Sequence, residues 1–442
     1  MESVEQRPVR LVMRDDLERS RLTVLFRLFL AIPLFLWVVL RGIAAFVVGF
    51  VNWLAVLVQA EVPDSLHDFV ASYIRYSTQV GAYVFLAADP YPWFRVQEDY
   101  PVDVEIDPPV RQGRWAGFFR LLLALPALLI ATALGGGFAT GSSGQSSATA
   151  SSRSGDEAFW LNASSVGGVA AAAALLAWFA ILWRGSAPRG LRDLTAFTLG
   201  YAAQAGAYLF LLTPRYPTSD PELAEPYAEL PEHPVRIVVN DDLERPRLTV
   251  LFRLFLAIPH FVWFALWSVA VVFAVFVAWI LALILGRVPD ALHRFLAAYV
   301  RYGTHLVAFV CLIGRRFPGF TGRADSYGID VEIDPPTRQS RWKTLFRFFL
   351  SIPALILASA LGGVAFVIAF LAWWHGLATG RMPDGMRDLG AACLRYSAQT
   401  YAYALLVTGH YPYSTPILHQ PEPAEENVVP PGTAPFLVGD AF

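Results

Sequence analysis

The chain alternates between long apolar runs and shorter segments in which polar residues recur at helix or strand spacing. The first apolar run extends from Leu22 to Ala60 and is interrupted only by single polar residues. A helix that crosses a bilayer needs about 20 apolar residues, so a run of this length is too long for one crossing and suits two. The pattern therefore predicts a pair of spanning helices joined by a turn.

This pattern occurs four times along the chain. Each copy opens with two arginines six residues apart, followed six residues later by a proline, and each closes with an aromatic residue and a proline. Repetition at fixed spacing indicates tandem structural units. We therefore divide the chain into repeat one (1–98), repeat two (99–218), repeat three (219–320), repeat four (321–416) and a disordered tail (417–442) rich in proline and glutamate.

Two features predict a turn in the middle of each apolar run. Repeat four has Leu361-Gly362-Gly363 there, and repeat two has a Ser/Gly-rich insertion at about 136–164. Insertions are tolerated at exposed loop tips, so the tip of the hairpin is expected to reach water. Arginines concentrate on both flanks of the hairpins, and the positive-inside rule then predicts cytoplasmic N- and C-termini.

The paired arginines place charge at the start of an apolar helix. Arg27 lies about 9 Å of helix beyond Arg21, a depth from which a long side chain reaches the headgroups. We therefore expect contacts with lipid phosphate. The alternative is an inward-facing ring of arginines that binds an anion, since charges within a membrane often mark functional sites. The candidates are Arg21, Arg27, Arg114, Arg120, Arg247, Arg253, Arg341 and Arg347.

A more polar segment follows each apolar run, and its polar residues recur at steps of three and four, which predicts an amphipathic helix. Two placements stay open for this helix. It could be a third spanning helix, as in transporters with inverted repeats, or it could lie at the cytoplasmic interface, which the arginine distribution favours. The polar stripe formed by the equivalent positions comprises Arg75, Tyr76, Gln79, Tyr201, Gln204, Arg301, Tyr302, His305, Arg395, Tyr396 and Gln399.

Short segments at the start of the repeats alternate apolar and charged residues, which is typical of half-buried strands. Repeats two and four carry acidic residues on the polar face, as at Glu105 and Glu332, whereas repeats one and three carry arginine, as at Arg10 and Arg236. Opposite charges on neighbouring strands favour pairing. We predict that strand 8–14 pairs with 102–107 and that 235–239 pairs with 329–334, in a small cytoplasmic sheet.

Composition agrees with a membrane protein and excludes several other classes. The chain is 55% hydrophobic and 16% charged, with a mean hydropathy of +0.46, whereas soluble domains carry about 25% charged residues. A net charge of −2 does not suit a nucleic-acid surface. The two cysteines and the scattered histidines match no metal-binding spacing, and no catalytic motif is found. We therefore predict no catalytic, cofactor or metal residues.

The segments "LFRLFLAIPHFVWF" and "LRYSAQTYAYALL" resemble those of a bacterial membrane family known as domain of unknown function 4389. The resemblance covers residues 8 to 416 in four copies, although repeat two departs from it at Gly200 and in its insertion. The family implies a protein of the bacterial inner membrane and brings no established activity.

These observations predict a mainly α, polytopic membrane protein in four tandem repeats, each with a short cytoplasmic strand, a transmembrane hairpin and an amphipathic helix. The function we expect is that of a non-enzymatic scaffold or lipid-interacting module. Its partners would be membrane lipids and an unidentified membrane protein. The alternative is a transporter or channel with a path lined by the polar stripes.

Overall fold

The computed structural model describes residues 7–135, 168–223 and 233–418, and these residues are mainly helical. The predicted insertion at about 136–164 and the predicted tail from residue 419 onward lie outside the described residues. In chain order the elements are β1 (Val9–Met13), α1 (Arg21–Gln59), α2 (Asp64–Val84), β2 (Val102–Ile106), α3 (Arg114–Phe118), α4 (Arg120–Gly135), α5 (Gly168–Arg184), α6 (Arg189–Leu209), β3 (Val235–Val239), α7 (Arg247–Leu285), α8 (Asp290–Val310), β4 (Ile329–Ile333), α9 (Arg341–Leu345), α10 (Arg347–Thr379) and α11 (Asp384–Ala404).

Each apolar run of repeats one, three and four folds as one long helix, so the predicted hairpin is wrong for these repeats. Helices α1 and α7 each have 39 residues, and α10 has 33. The pair Gly362-Gly363, which had suggested a turn, lies inside α10. A glycine inside a helix costs only about 1 kcal/mol relative to alanine. Packing along α11 supplies more than that, because α10 buries Leu357, Leu361 and Ile368.

Repeat two has the same long helix in two pieces. Helices α4 and α5, with 16 and 17 residues, flank the insertion and together match the length of α10. Their apolar side chains share one core with the middle of α10, where Ile130 and Ala173 pack in the same cluster as Leu357 and Ile368. This contact joins the first two repeats to the last two.

The amphipathic helices α2, α6, α8 and α11 form a second layer beneath the long helices. Helix α2 runs back along α1, so that Tyr73 packs against Gly42 near the middle of both helices. Helices α2 and α6 contact each other where Gly81 faces Leu199, and α8 and α11 pair in the same way. Between 10 and 13 of the 21 residues in each of these helices are buried, which places the core between the layers.

Two antiparallel two-stranded sheets form the third layer, and both predicted pairings are confirmed. Strand β1 pairs with β2 and places Arg10 opposite Glu105, while β3 pairs with β4 and places Arg236 opposite Glu332. The side chains of these pairs form exposed ion pairs at 3.2 and 3.4 Å. Opposite charges therefore face each other across each strand pair, which favours the predicted pairing.

The repeats associate as two reciprocal pairs, one with two and three with four. Within a pair, the start of the long helix of one repeat lies beside the end of the long helix of the other repeat. The amide of Gln112 donates to Ala60 O at one end of the first pair, and that of Ala187 donates to Leu17 O at the other. In the second pair the amide of Met382 donates to Leu243 O. Within each pair the long helices are therefore antiparallel.

Candidate functional site

The second arginine of each repeat, which we call the inner arginine, is buried beside the end of an amphipathic helix. The four side chains are at most 3% exposed. Arg27 donates to the carbonyls of Tyr83 and Ala88 at 2.8 and 3.0 Å, at the end of α2. Cationic groups are stabilised there because the last carbonyls of a helix lack intrahelical partners and carry partial negative charge. The inner arginines are Arg27, Arg120, Arg253 and Arg347.

The same contact recurs in repeats three and four. Arg253 donates to the carbonyls of Gly314 and Arg315, both at 3.1 Å. Arg347 donates to Tyr403 O at 3.2 Å and to Thr408 O at 3.0 Å. Each inner arginine thus bonds at the end of the amphipathic helix of its own repeat or to the residues just beyond it, and in repeat two Arg120 does so through Gln112.

Each inner guanidinium also lies over an aromatic ring in the last turn of the amphipathic helix. The distances to the ring centroids are 4.1 to 4.4 Å. Such cation–π contacts contribute most where water is excluded. The rings are those of Tyr83, Tyr208, Phe309 and Tyr403.

A leucine with left-handed backbone follows each amphipathic helix. Leu86, Leu211, Leu312 and Leu406 have φ between 59° and 64° and are buried. A side chain in this conformation costs about 1–2 kcal/mol, so it persists where the surroundings hold it. Here the leucine carbonyl accepts a hydrogen bond from a residue eight positions before the inner arginine. These residues are Arg19, Gln112, Arg245 and Gln339.

This residue eight positions before the inner arginine was missed by sequence reasoning. The signal was present, since the spacing to the inner arginine is constant in all four repeats. Arginine in repeats one and three alternates with glutamine in two and four, which hid the equivalence. Arg19 also pairs with Asp15 and Arg245 with Asp241, each at 2.6 Å and fully buried on the arginine side.

The first arginine of each repeat, which we call the outer arginine, is exposed and bonds to the neighbouring repeat. Arg114 donates to Val58 O at 2.9 Å, near the end of α1, and Arg247 donates to Ala378 O at 2.9 Å, near the end of α10. Arg21 and Arg341 contact Trp183 O and Ile284 O in the same way, at 3.3 and 3.1 Å. The outer arginines therefore cap the long helix of the paired repeat.

These positions change what the arginines can do. The inner arginines bond within their own chain, because carbonyls at the helix ends offer partners that spacing alone does not reveal. Each lies at the end of a separate helix, and contact with lipid phosphate or with an anion stays a prediction. The outer arginines keep exposed donors, and exposed Trp115 and Trp342 follow two of them directly.

The arginine, glutamine and histidine side chains of the polar stripe face the strands and loops in the third layer. In repeat one, Arg75 bonds to the Asp103 carboxylate at 3.2 Å and Gln79 donates to Gln97 O at 2.7 Å. In repeat three, Arg301 donates to Val331 O at 2.9 Å, and the His305 imidazole lies 2.8 Å from Asp330. Burial alone would raise the pKa of Asp330, but hydrogen bonds from His305 and two backbone amides hold that pKa below its usual value.

Repeats two and four use the stripe to hold the segments after their helices. Gln204 accepts from the amide of Thr218 at 3.0 Å. Gln399 donates to Val235 O at 3.0 Å, and Arg395 donates to Thr415 O and Ile417 O.

The tyrosines of the stripe are buried. Tyr76, Tyr201, Tyr302 and Tyr396 are at most 3% exposed, and Tyr302 lies 2.8 Å from the His260 ring. These four tyrosines are therefore packed inside the part of the chain that the structure describes.

The cysteines, histidines and acidic side chains of the described residues form neither a metal-binding cluster nor an activated thiol. No group of three or more histidine, cysteine or acidic side chains is placed to hold a metal in residues 7–135, 168–223 and 233–418. Cys311 and Cys393 are free and buried, and burial raises the pKa of each thiol to about 12. Such thiols stay protonated at neutral pH and are poor nucleophiles.

Comparison with known proteins gives the family and no activity. The model of a domain of unknown function (DUF4389) matches residues 21–95, 158–219, 247–321 and 341–415. No curated protein and no solved structure matches the chain. The matched segments begin at the outer arginine in repeats one, three and four and include the inner arginine there. Since they cover more than half of the sequence, the chain belongs to the DUF4389 family, of which it carries four copies.

Proposed function

We propose that this protein is a non-enzymatic scaffold embedded in the bacterial inner membrane, with both termini on the cytoplasmic side and membrane lipids as its partners. The observation that carries this proposal is the use of the repeated charges. The inner arginines and the polar stripe are bonded to the chain's own carbonyls and carboxylates. The contacts that recur from repeat to repeat are therefore structural. Among the described residues, the recurring side chains do not bring an acid, a base and a nucleophile together.

Membrane association rests on the long helices. Three of those described, α1, α7 and α10, are long and apolar enough to cross a membrane. Only 17% of the apolar windows of α1 and α7 is buried within the chain. Large exposed apolar surfaces mark contacts with lipid or protein. The outer arginines and their neighbouring tryptophans would then lie among lipid headgroups, where both side chains are favoured.

Transport is the competing function, and the polar stripes are the feature that suggests it. A transport path needs polar side chains that face one another across an opening. Arg75, Arg301 and Arg395 instead bond to different strands and loops, so they supply no shared lining. We therefore favour the scaffold.

The test uses the full chain reconstituted into vesicles of phosphatidylethanolamine and phosphatidylglycerol. We expect the protein to float with the vesicles after an alkaline wash and to give no chloride or phosphate flux above protein-free vesicles. Flux that disappears in a variant with Arg75→Ala, Arg301→Ala and Arg395→Ala, while that variant still floats, would establish transport instead. A chain that stays at the bottom of the gradient would refute membrane embedding altogether.

A further inference from the structure

We propose that the long helices lie in the plane of the membrane, embedded in one leaflet, and leave the two sheets in water on that same side. This inference rests on the proposed membrane association and deepens it. The occupant of the exposed apolar face is then the acyl-chain region of a single leaflet. Three observations support this arrangement: the length of the exposed apolar surface, the position of the sheets, and an arginine that has no carboxylate partner among the described residues.

The exposed apolar surface of α1 is too long for a direct crossing. It extends from Leu22 to Val58, which are 70% and 69% exposed, a distance of about 54 Å along a helix. The hydrocarbon core of a bilayer is about 30 Å thick, so a crossing helix would need a tilt of about 55°, beyond the usual range of about 0–40°. Helix α7 has the same length and the same exposure from Leu248 to Leu285.

The sheets lie beneath the middle of the long helices. Arg41, at the midpoint of α1, donates to Ser72 Oγ of α2 at 2.7 Å, and one turn further along α2 Arg75 bonds to Asp103 of β2. The exposed ion pair between Arg10 and Glu105 lies in that sheet. If α1 crossed the bilayer, this charged surface would stand at the depth of the bilayer centre, where charges are strongly disfavoured.

The second half of the protein repeats this arrangement. Ser268, near the midpoint of α7, lies 2.7 Å from the hydroxyl of Tyr299 in α8. Two residues later, Arg301 donates to Val331 O of β4, and the neighbouring Glu332 is exposed and paired with Arg236. Two independent sheets therefore lie at the mid-length of two long helices. An in-plane orientation places both sheets on the water side of the interface.

Arg41 agrees with the same orientation. It lies halfway along an apolar helix, is half-buried, and has no carboxylate partner among the described residues. Its guanidinium points from α1 toward α2, which is the direction of the sheets. In a crossing helix the charge would stand unpaired in hydrocarbon. In an in-plane helix it lies at the boundary between the apolar layer and the headgroups, where arginine is stable.

The layer of long helices is thin enough to fit within the hydrocarbon region of one leaflet. A helix with its side chains is about 10–12 Å across, and half of the hydrocarbon core is about 15 Å. The central helix α10 shows how the face is formed. Phe348, Ile352, Phe366 and Phe370 are exposed and recur on one side of the helix, while Leu357, Leu361 and Ile368 on the opposite side are buried. Helix α10 therefore presents an apolar face on the side away from its packed core.

Spin labels along a single stripe of α1 test the inference. Phe29, Leu40, Val47 and Val58 are all exposed and lie within about 20° of one another around the helix. Each is replaced by cysteine in turn and labelled in vesicles, and its depth is measured from collisions with oxygen and with a water-soluble nickel complex. Both native cysteines are buried, and the unsubstituted chain measures their background labelling.

We expect all four labels to report the same depth within one leaflet, and a label at Glu105 to be fully accessible to the nickel complex. A crossing helix would give its greatest depth at Leu40 and Val47 and shallow values at Phe29 and Val58. That profile, or a Glu105 label protected by lipid, would overturn the inference while leaving membrane association intact. Failure of the protein to float with vesicles would instead refute the proposed function.

Discussion

Replacing Arg347 by methionine tests whether an inner arginine holds the fold or binds a ligand. The side chain is 3% exposed, donates to two carbonyls at the end of α11, and contacts Gln339. Methionine is unbranched and uncharged and replaces the aliphatic part of the arginine side chain, so the substitution removes these bonds while keeping apolar packing near the backbone. The Thr408 carbonyl then loses its donor in a buried position.

The loss can be estimated from the bonds. Each hydrogen bond to a charged group contributes about 1.5–3 kcal/mol, and part of this offsets the desolvation of the guanidinium. The Arg347 partners are neutral oxygens, and leaving a buried acceptor without its donor costs about 1–3 kcal/mol, so the loss at Thr408 O and Gln339 Oε1 totals roughly 2–6 kcal/mol. For a chain of this length, unfolding as one unit, about 1 kcal/mol corresponds to about 1 °C, so the melting temperature should fall by about 2–6 °C.

The assay is thermal unfolding of the detergent-solubilised protein, followed by size-exclusion chromatography after heating. Arg341→Met is the matched control, because this outer arginine is exposed and makes one carbonyl contact at 3.1 Å, which predicts a loss of about 0–1 kcal/mol. Vesicle binding is measured for both variants. An Arg347→Met protein that melts like the parent but binds anionic vesicles more weakly would refute the capping role.

Further predictions concern helix ends, buried titration and the contacts between repeats. Ala60 has a left-handed backbone with φ 60°, where repeat three has Gly286, so Ala60→Gly should raise the free energy of unfolding by about 1 kcal/mol and Gly286→Ala should lower it similarly. Burial lowers the pKa of His233 to about 4, so this imidazole stays neutral in the fold while the unfolded chain binds a proton below about pH 6.5. Acidification from about pH 7 to about pH 5 should therefore cost up to about 2 kcal/mol, and His233→Gln should remove that part of the pH dependence of the melting temperature. Trp373→Phe removes the indole donor to Val250 O at 3.2 Å and should cost about 1 kcal/mol in urea unfolding, with no loss if the contact between repeats three and four is unimportant.

The features predictable from the sequence were those set by local pattern and charge. Alternation within segments 8–14 and 102–107, with arginine on one and acid on the other, was enough to predict their pairing. Because the pattern recurs in four repeats, each observation could be compared with the equivalent segments of the other three. The amphipathic helices followed from their spacing in the same way, because a buried helix between two layers still has one polar side.

The features that could not be predicted depend on contacts distant in sequence. A run of 39 apolar residues suggested two crossings, since the sequence does not reveal a partner helix that supports it along its whole length. The inner arginines were assigned to lipid because their acceptors are backbone carbonyls, which every residue has. Arg27 and the Tyr83 carbonyl are 56 residues apart, and only the fold brings them together.

Oriented circular dichroism of the protein in stacked bilayers tests the central claim most directly. The amphipathic helices pack along the long ones, so in-plane embedding places most helical residues parallel to the membrane surface. The negative amide band polarised along the helix axis should then stay strong when the light travels along the bilayer normal. Its near disappearance would mean that the helices stand across the membrane, and the single-leaflet arrangement would be contradicted.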